Sequence, residues 1–109
     1  MRSRGVEPNV ISFNSAISAC EKGGQWERAL ALLEEMQTRG VGPTVISFNA
    51  AISACEKGGQ WERALALLKE AKGRGLEPTV ITYNAAISAC QKGGQWERAL
   101  ALLEEAQAS

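Results

Sequence analysis

The sequence predicts an all-α fold, a solenoid of three stacked helix-turn-helix repeats forming an α-α superhelix, and three observations carry that prediction. Pro8, Pro43 and Pro78 recur every 35 residues, and so do Cys20, Cys55 and Cys90, and Trp26, Trp61 and Trp96. Val10–Thr44 aligned on Val45–Thr79 differs at only seven positions: Ser15/Ala50, Glu34/Lys69, Met36/Ala71, Gln37/Lys72, Thr38/Gly73, Val41/Leu76 and Gly42/Glu77. Each unit is broken once near its middle by a glycine pair, the strongest local interruption of a helix. A fixed period of this size marks supersecondary units that cannot bury their apolar faces alone and stack to do so. The organisation read from it is a tail of a preceding repeat over residues 1–9, repeats over 10–44 and 45–79, and a third over 80–109 that is incomplete at its C-terminus.

The elements follow in order within each unit. Asn9, Thr44 and Thr79 stand directly before the first apolar residue, where a side-chain oxygen caps the orphan N–H groups of a helix start. A first helix is expected over roughly Val10–Glu21, ended by Gly23-Gly24. A second is expected over roughly Gln25–Gln37, rich in Glu, Arg, Ala and Leu, all good helix formers. Gly40 then serves the C-terminus, with Pro43 three residues beyond. The other units repeat these signals.

Composition narrows the function classes. At 45% hydrophobic and 22% charged, the chain is too apolar to be disordered and has the balance of a globular domain. No apolar run approaches the ~20 residues of a membrane span, so no membrane partner is expected. Met1–Gly5 have no apolar stretch behind them that would read as a secretory signal. Three cysteines without Cys-x-x-Cys spacing argue against a disulfide framework, and the repeat spacing argues against a Cys20–Cys55 bridge. The absence of histidine removes most zinc sites and the histidine-dependent nucleophilic mechanisms. No carboxylate pair has a reason to be buried. The expectation is therefore no catalytic residue, no metal and no cofactor. A net charge of zero does not favour non-specific binding to nucleic acid.

On a helical wheel, Val10, Phe13, Ala16, Ile17 and Cys20 share the core face of the first helix. Ile11, Asn14, Ser15, Ser18 and Lys22 lie opposite. The second helix has a wide apolar face of Trp26, Ala29, Leu30, Leu32, Leu33 and Met36, suited to its partner helix and the next repeat. Trp26 is expected in the core with Leu30 and Leu33, while Glu27, Arg28, Glu34 and Glu35 face outward. Stacking places the first helices side by side, about 8–10 Å apart. The free stripe then recurs as Ile11/Asn14/Lys22, Ile46/Asn49/Lys57 and Ile81/Asn84/Lys92. With most glutamates on the second helices, zero net charge can conceal a separation of sign.

These residues resemble the pentatricopeptide repeat family. The resemblance is carried by the 35-residue period, by Val-Ile-Ser-Phe-Asn or Val-Ile-Thr-Tyr-Asn opening the first helix, by Lys-Gly-Gly between helices, by Ala-Leu-Ala-Leu-Leu in the second and by Gly-x-x-Pro at the end. It covers essentially the whole chain. It implies a right-handed superhelix and single-stranded RNA as partner, each repeat reading one base. Asn14, Asn49 and Asn84 correspond to the first base-reading residue, and Thr44 and Thr79 to the second. Asn9 would belong to an upstream repeat. Ile11, Ile46 and Ile81 match the aliphatic residue that sandwiches bases, and Lys22, Lys57 and Lys92 resemble the lysine that meets the phosphate backbone. An Asn/Thr pair implies pyrimidine preference, weakly C over U. The family works mostly in organellar RNA processing, which points to chloroplast or mitochondrion; the chain itself shows no address.

Simpler roles stand beside these. The asparagines could make local or core-edge hydrogen bonds, the threonines could only cap helices, the lysines could only be solvated and the isoleucines could only pack between repeats. A tetratricopeptide-like protein-interaction scaffold is the alternative function, although its Trp-x-x-Leu-Gly-x-x-Tyr pattern is missing. A designed or consensus repeat scaffold without ligand is a third. Because the sequence opens and closes inside a repeat, the expectation is a fragment of a longer array or end-to-end self-association through uncapped repeats.

Overall fold

The computed structural model describes residues 9–108, and the expected preceding-repeat tail over 1–9 lies almost wholly outside them. Six 13-residue helices follow one another: α1 Val10–Lys22, α2 Trp26–Thr38, α3 Val45–Lys57, α4 Trp61–Gly73, α5 Val80–Lys92 and α6 Trp96–Ala108. They pair as three antiparallel hairpins in a body of 51 × 27 × 18 Å. The caps explain the boundaries. Asn9 Oδ1 accepts from Ser12 N–H at 3.0 Å, and Thr44 and Thr79 accept from Ser47 and Thr82 N–H at 3.4 Å. In α3 and α5 the third residue returns a bond, its hydroxyl accepting from the cap's own N–H, which completes a capping box. The second helices start one residue later than expected, at tryptophan, because the preceding glutamine stands at the N-cap with a non-helical ψ of 69° in α2 and 68° in α4.

Each first helix packs on the next, and each second helix packs on its own partner and on the following first helix. Among the described residues the backbones of successive second helices stay apart, and only side chains such as Arg63 on Trp26 and Lys72 on Glu105 cross between them. Clefts separate them instead, one lined by Trp26, Leu30, Leu33 and Arg63 and another by Trp61, Leu65, Leu68 and Arg98. A stack that is tight along its first helices and open along its second helices curves toward the first. The face of α1, α3 and α5 is accordingly the inner one.

The core is continuous through the stack: Phe13, Ile17, Leu33, Met36, Phe48, Ile52, Cys55, Leu68, Tyr83 and Cys90 are buried. The central helix α3, enclosed by neighbours on both sides, buries Ser47, Ala51 and Ala54 as well. The wheel assignment of the core stripe holds for Phe13 and Ile17, while Val10, Ala16 and Cys20 at the outer hairpin are only half-buried. All three cysteines are free thiols. Burial pushes the Cys55 thiol up to about 11, with Arg63 pulling weakly the other way, and burial raises Cys90 too, so both behave as small apolar fillers.

Two of the tryptophans sit at the edge of the core. Trp26 and Trp61 are half-buried and lie between hairpins, each against a glycine of the next unit: a Cβ added at Gly58 would stand 2.2 Å from Trp26 Cδ1, and one at Gly93 2.2 Å from Trp61 Cδ1. Arg63 covers the Trp26 ring at 5.1 Å and Arg98 the Trp61 ring at 5.3 Å, both within cation–π range. Trp26 and Trp61 thus pack against the edge of the core, as expected, and dock the next unit as well. The arginine assigned to the solvent face on the wheel is, in the second and third hairpins, the lid of that contact.

Candidate functional site

The inner face is built from the first turns of α1, α3 and α5, held in register by their caps. Ile11, Ile46 and Ile81 project from it at 71%, 62% and 67% exposure, an unusual state for a large aliphatic side chain repeated in three equivalent places. One helical turn along stand Asn14, Asn49 and Asn84.

Asn14 sits across the junction from Thr44, its Nδ2 3.5 Å from Thr44 Oγ1, so the two residues assigned to reading form one polar unit. Asn14 Oδ1 accepts from Ser47 Oγ, and Asn49 Oδ1 accepts from Thr82 Oγ1. Asn14 and Asn49 are half-buried by these contacts, whereas Asn84 is exposed. The hydroxyls that hold the amides were not singled out from sequence. The available signal was a Ser or Thr at the third helical position, which the capping pattern marks but does not connect to an asparagine 33 residues upstream.

The lysines lie at the far ends of the first helices. Lys57 forms an ion pair with Glu21, and Lys92 with Glu56, each reaching back to the preceding hairpin. Ser53 and Ser88 hydroxyls donate to the same carboxylates at 3.4 and 3.3 Å. These glutamates are mostly buried, and sequence reasoning missed them because it placed the acidic residues on the second helices. Separation of charge is therefore less complete than expected. Among the described residues Lys22 has no such ion-pair partner.

The remaining chemistry is sparse. Among the described residues no group of three or more His, Cys, Asp or Glu could hold a metal, and no helix is long and apolar enough to cross a membrane.

Stacked hairpins whose first helices share one lined inner face define an α-solenoid repeat protein. A family model described as the pentatricopeptide repeat domain matches residues 1–58 and 32–93, and one described as the PPR repeat matches 81–109. The chain belongs to the pentatricopeptide repeat family. Among solved structures, the pentatricopeptide repeat protein PPR10 from maize is similar with a TM-score of 0.82 and 35% identity. PPR10 in complex with an 18-nt psaJ RNA element is similar with a TM-score of 0.86 and 32% identity. Each match covers 95% of this chain, which spans only 15% of PPR10. No curated protein sequence matches the chain significantly.

Proposed function

We propose that the protein is a non-catalytic binder of single-stranded RNA that seats one base per repeat along its inner face and favours pyrimidines. The repeats are taken as 10–44, 45–79 and 80–109. Asn14, Asn49 and Asn84, with Thr44 and Thr79, read base edges; Ile11, Ile46 and Ile81 separate successive bases; Lys22, Lys57 and Lys92 meet phosphates. The observation that carries this reading is the row of solvent-exposed isoleucines, each one helical turn from an asparagine, with Asn14 and Asn49 held by a hydroxyl of the next hairpin. Single-stranded bases need this combination, an apolar surface for their rings and polar groups for their edges. The RNA-bound PPR10 relative supports it. For Lys57 and Lys92 a phosphate has to share the ammonium with Glu21 and Glu56, which weakens the expected grip.

Each stacked base contributes roughly 1–3 kcal/mol. Three therefore give on the order of 3–9 kcal/mol against an association cost of about 4–15 kcal/mol, so one chain binds weakly. The test is titration with oligo-C, oligo-U and oligo-A, single- and double-stranded, at several salt concentrations. The expected result is salt-dependent binding that prefers the pyrimidine single strands, with the Asn14→Thr/Asn49→Thr variant shifting preference toward purines. Equal binding of duplex and single strand, or a preference unmoved by that variant, rules out the assignment.

We further infer that the exposed end of the third hairpin takes another hairpin, either the next repeat of a longer array or the first hairpin of a second copy. Trp96 is 66% exposed, and Leu100 and Leu103 are exposed beside it, whereas their counterparts in the first two hairpins are covered by the next hairpin. A second copy offering its first hairpin would cover them through a head-to-tail contact that does not close on itself. Light scattering is expected to show a mass that rises with protein concentration and falls back on Trp96→Glu. A single monomer mass at every concentration excludes the second copy as the occupant.

A further inference from the structure

We propose that Ser47 and Thr82 are positioning residues that fix which end of the asparagine amide faces the base, and so bias Asn14 and Asn49 toward cytosine over uracil. This rests on the base-reading role proposed above for the two asparagines.

The argument turns on proton counting. A hydroxyl has one proton to donate and two lone pairs to accept with. Thr44 N–H donates to Ser47 Oγ at 3.0 Å, and Thr79 N–H donates to Thr82 Oγ1 at 3.0 Å. A backbone N–H can only donate, so each hydroxyl spends a lone pair there. Its own proton goes to the asparagine of the preceding hairpin, Ser47 to Asn14 Oδ1 and Thr82 to Asn49 Oδ1. Ser47 and Thr82 are completely buried, so water does not compete for that proton. The amide is thereby held by its oxygen, and what it offers a ligand is chiefly its NH2. In repeat 1 one of those N–H groups lies toward Thr44 Oγ1. The helix cap and the ligand-facing amide thus share one hydroxyl, and the cap sets the polarity of the amide.

A fixed donor separates the two pyrimidines. Cytosine carries acceptors at O2 and N3 of its Watson–Crick edge, while uracil carries a donor at N3 between two carbonyls. An amide free to rotate end for end would serve either base by presenting oxygen or nitrogen. One that is locked can still donate to a carbonyl of either base, but at N3 it finds an acceptor only in cytosine, so where the amide faces N3 uracil loses one hydrogen bond, about 2- to 10-fold per repeat.

The test combines binding with a readout that needs no RNA. Affinities for oligo-C and oligo-U are compared in the wild type, in Thr82→Val, in Ser47→Ala/Thr82→Val, and in the conservative Ser47→Thr and Thr82→Ser. Side-chain amide NMR resonances of Asn14, Asn49 and Asn84 are followed in parallel. Asn84, exposed and without a following hydroxyl among the described residues, is the reference for an unlocked amide. In the wild type, Asn14 and Asn49 NH2 protons should exchange more slowly than those of Asn84. Thr82→Val should make Asn49 resemble Asn84 and leave Asn14 unchanged. The C-to-U ratio should fall toward unity in the valine and alanine variants and persist in the conservative pair. Thr79 still caps α5 in Thr82→Val, so this single variant carries the test if the double variant unfolds. Asn49 resonances indifferent to Thr82→Val overturn the positioning role whatever the RNA data. A cytosine preference that survives loss of both hydroxyls overturns the specificity role alone. Absence of RNA binding by wild type, with the amide behaviour as expected, instead overturns the reading on which this one rests and its specificity claim with it.

Discussion

Phe48→Ala is expected to cost about 3–5 kcal/mol and to leave the chain close to unfolding at room temperature. Phe48 is the largest of the completely buried side chains and belongs to α3, the helix that touches α1 and α5 on its flanks and α2 and α4 on its back. A domain of this size has roughly 5–15 kcal/mol of stability in total, so the loss takes a large share of it. Truncation there leaves a cavity in the helix that contacts both neighbouring hairpins. In a stack held by nearest-neighbour contacts, weakening the middle unit weakens both junctions at once. Thermal denaturation followed by circular dichroism should show a midpoint lowered by more than about 10 °C. A shift of one or two degrees would mean that the hairpins do not share a core.

Gly58→Ala and Gly93→Ala should each cost about 1–3 kcal/mol, and together about twice that, while Gly23→Ala should change stability by less than about 0.5 kcal/mol. The three glycines end α1, α3 and α5 with nearly the same backbone, φ −88°, −85° and −86° and ψ within 4° of zero, so any local effect of the added methyl is common to all. What differs is the neighbour. At Gly58 and Gly93 the new Cβ collides with a tryptophan ring that an arginine also covers. At Gly23 its nearest contact is an ordinary 3.6 Å to Ala19 O. Chemical denaturation of the three single variants checks the contrast. Equal losses at all three sites would place the cost in the helix end and remove the tryptophan–glycine contact as the clamp between hairpins.

The same contrast shows how far the sequence could be read. Helices, their caps and the three-hairpin stack were legible because their signals act within a few residues: a Thr, Ser or Asn before an apolar turn, a glycine pair after a thirteenth residue, a proline after a glycine. The inner stripe was legible because a helix has a fixed angular period, which puts Ile46 and Asn49 on one side whatever lies around them. Trp26 was legible as a residue packed on the core, but its apolarity did not say that Gly58 of the next hairpin would lie against its ring. Gln25 stands just outside α2 as its N-cap residue, with a non-helical ψ of 69° that residue type alone does not reveal.

By itself, then, the sequence determined the period, the six helices, the family and the face on which isoleucine, asparagine and lysine recur. Only the tertiary structure decided which groups cross from one hairpin to the next: Ser47 to Asn14, Lys57 to Glu21, Gly58 to Trp26. The physical reason is range. Capping and helical periodicity are local, whereas these partners lie 32 to 36 residues apart and meet only through the angle and spacing at which one hairpin settles on another.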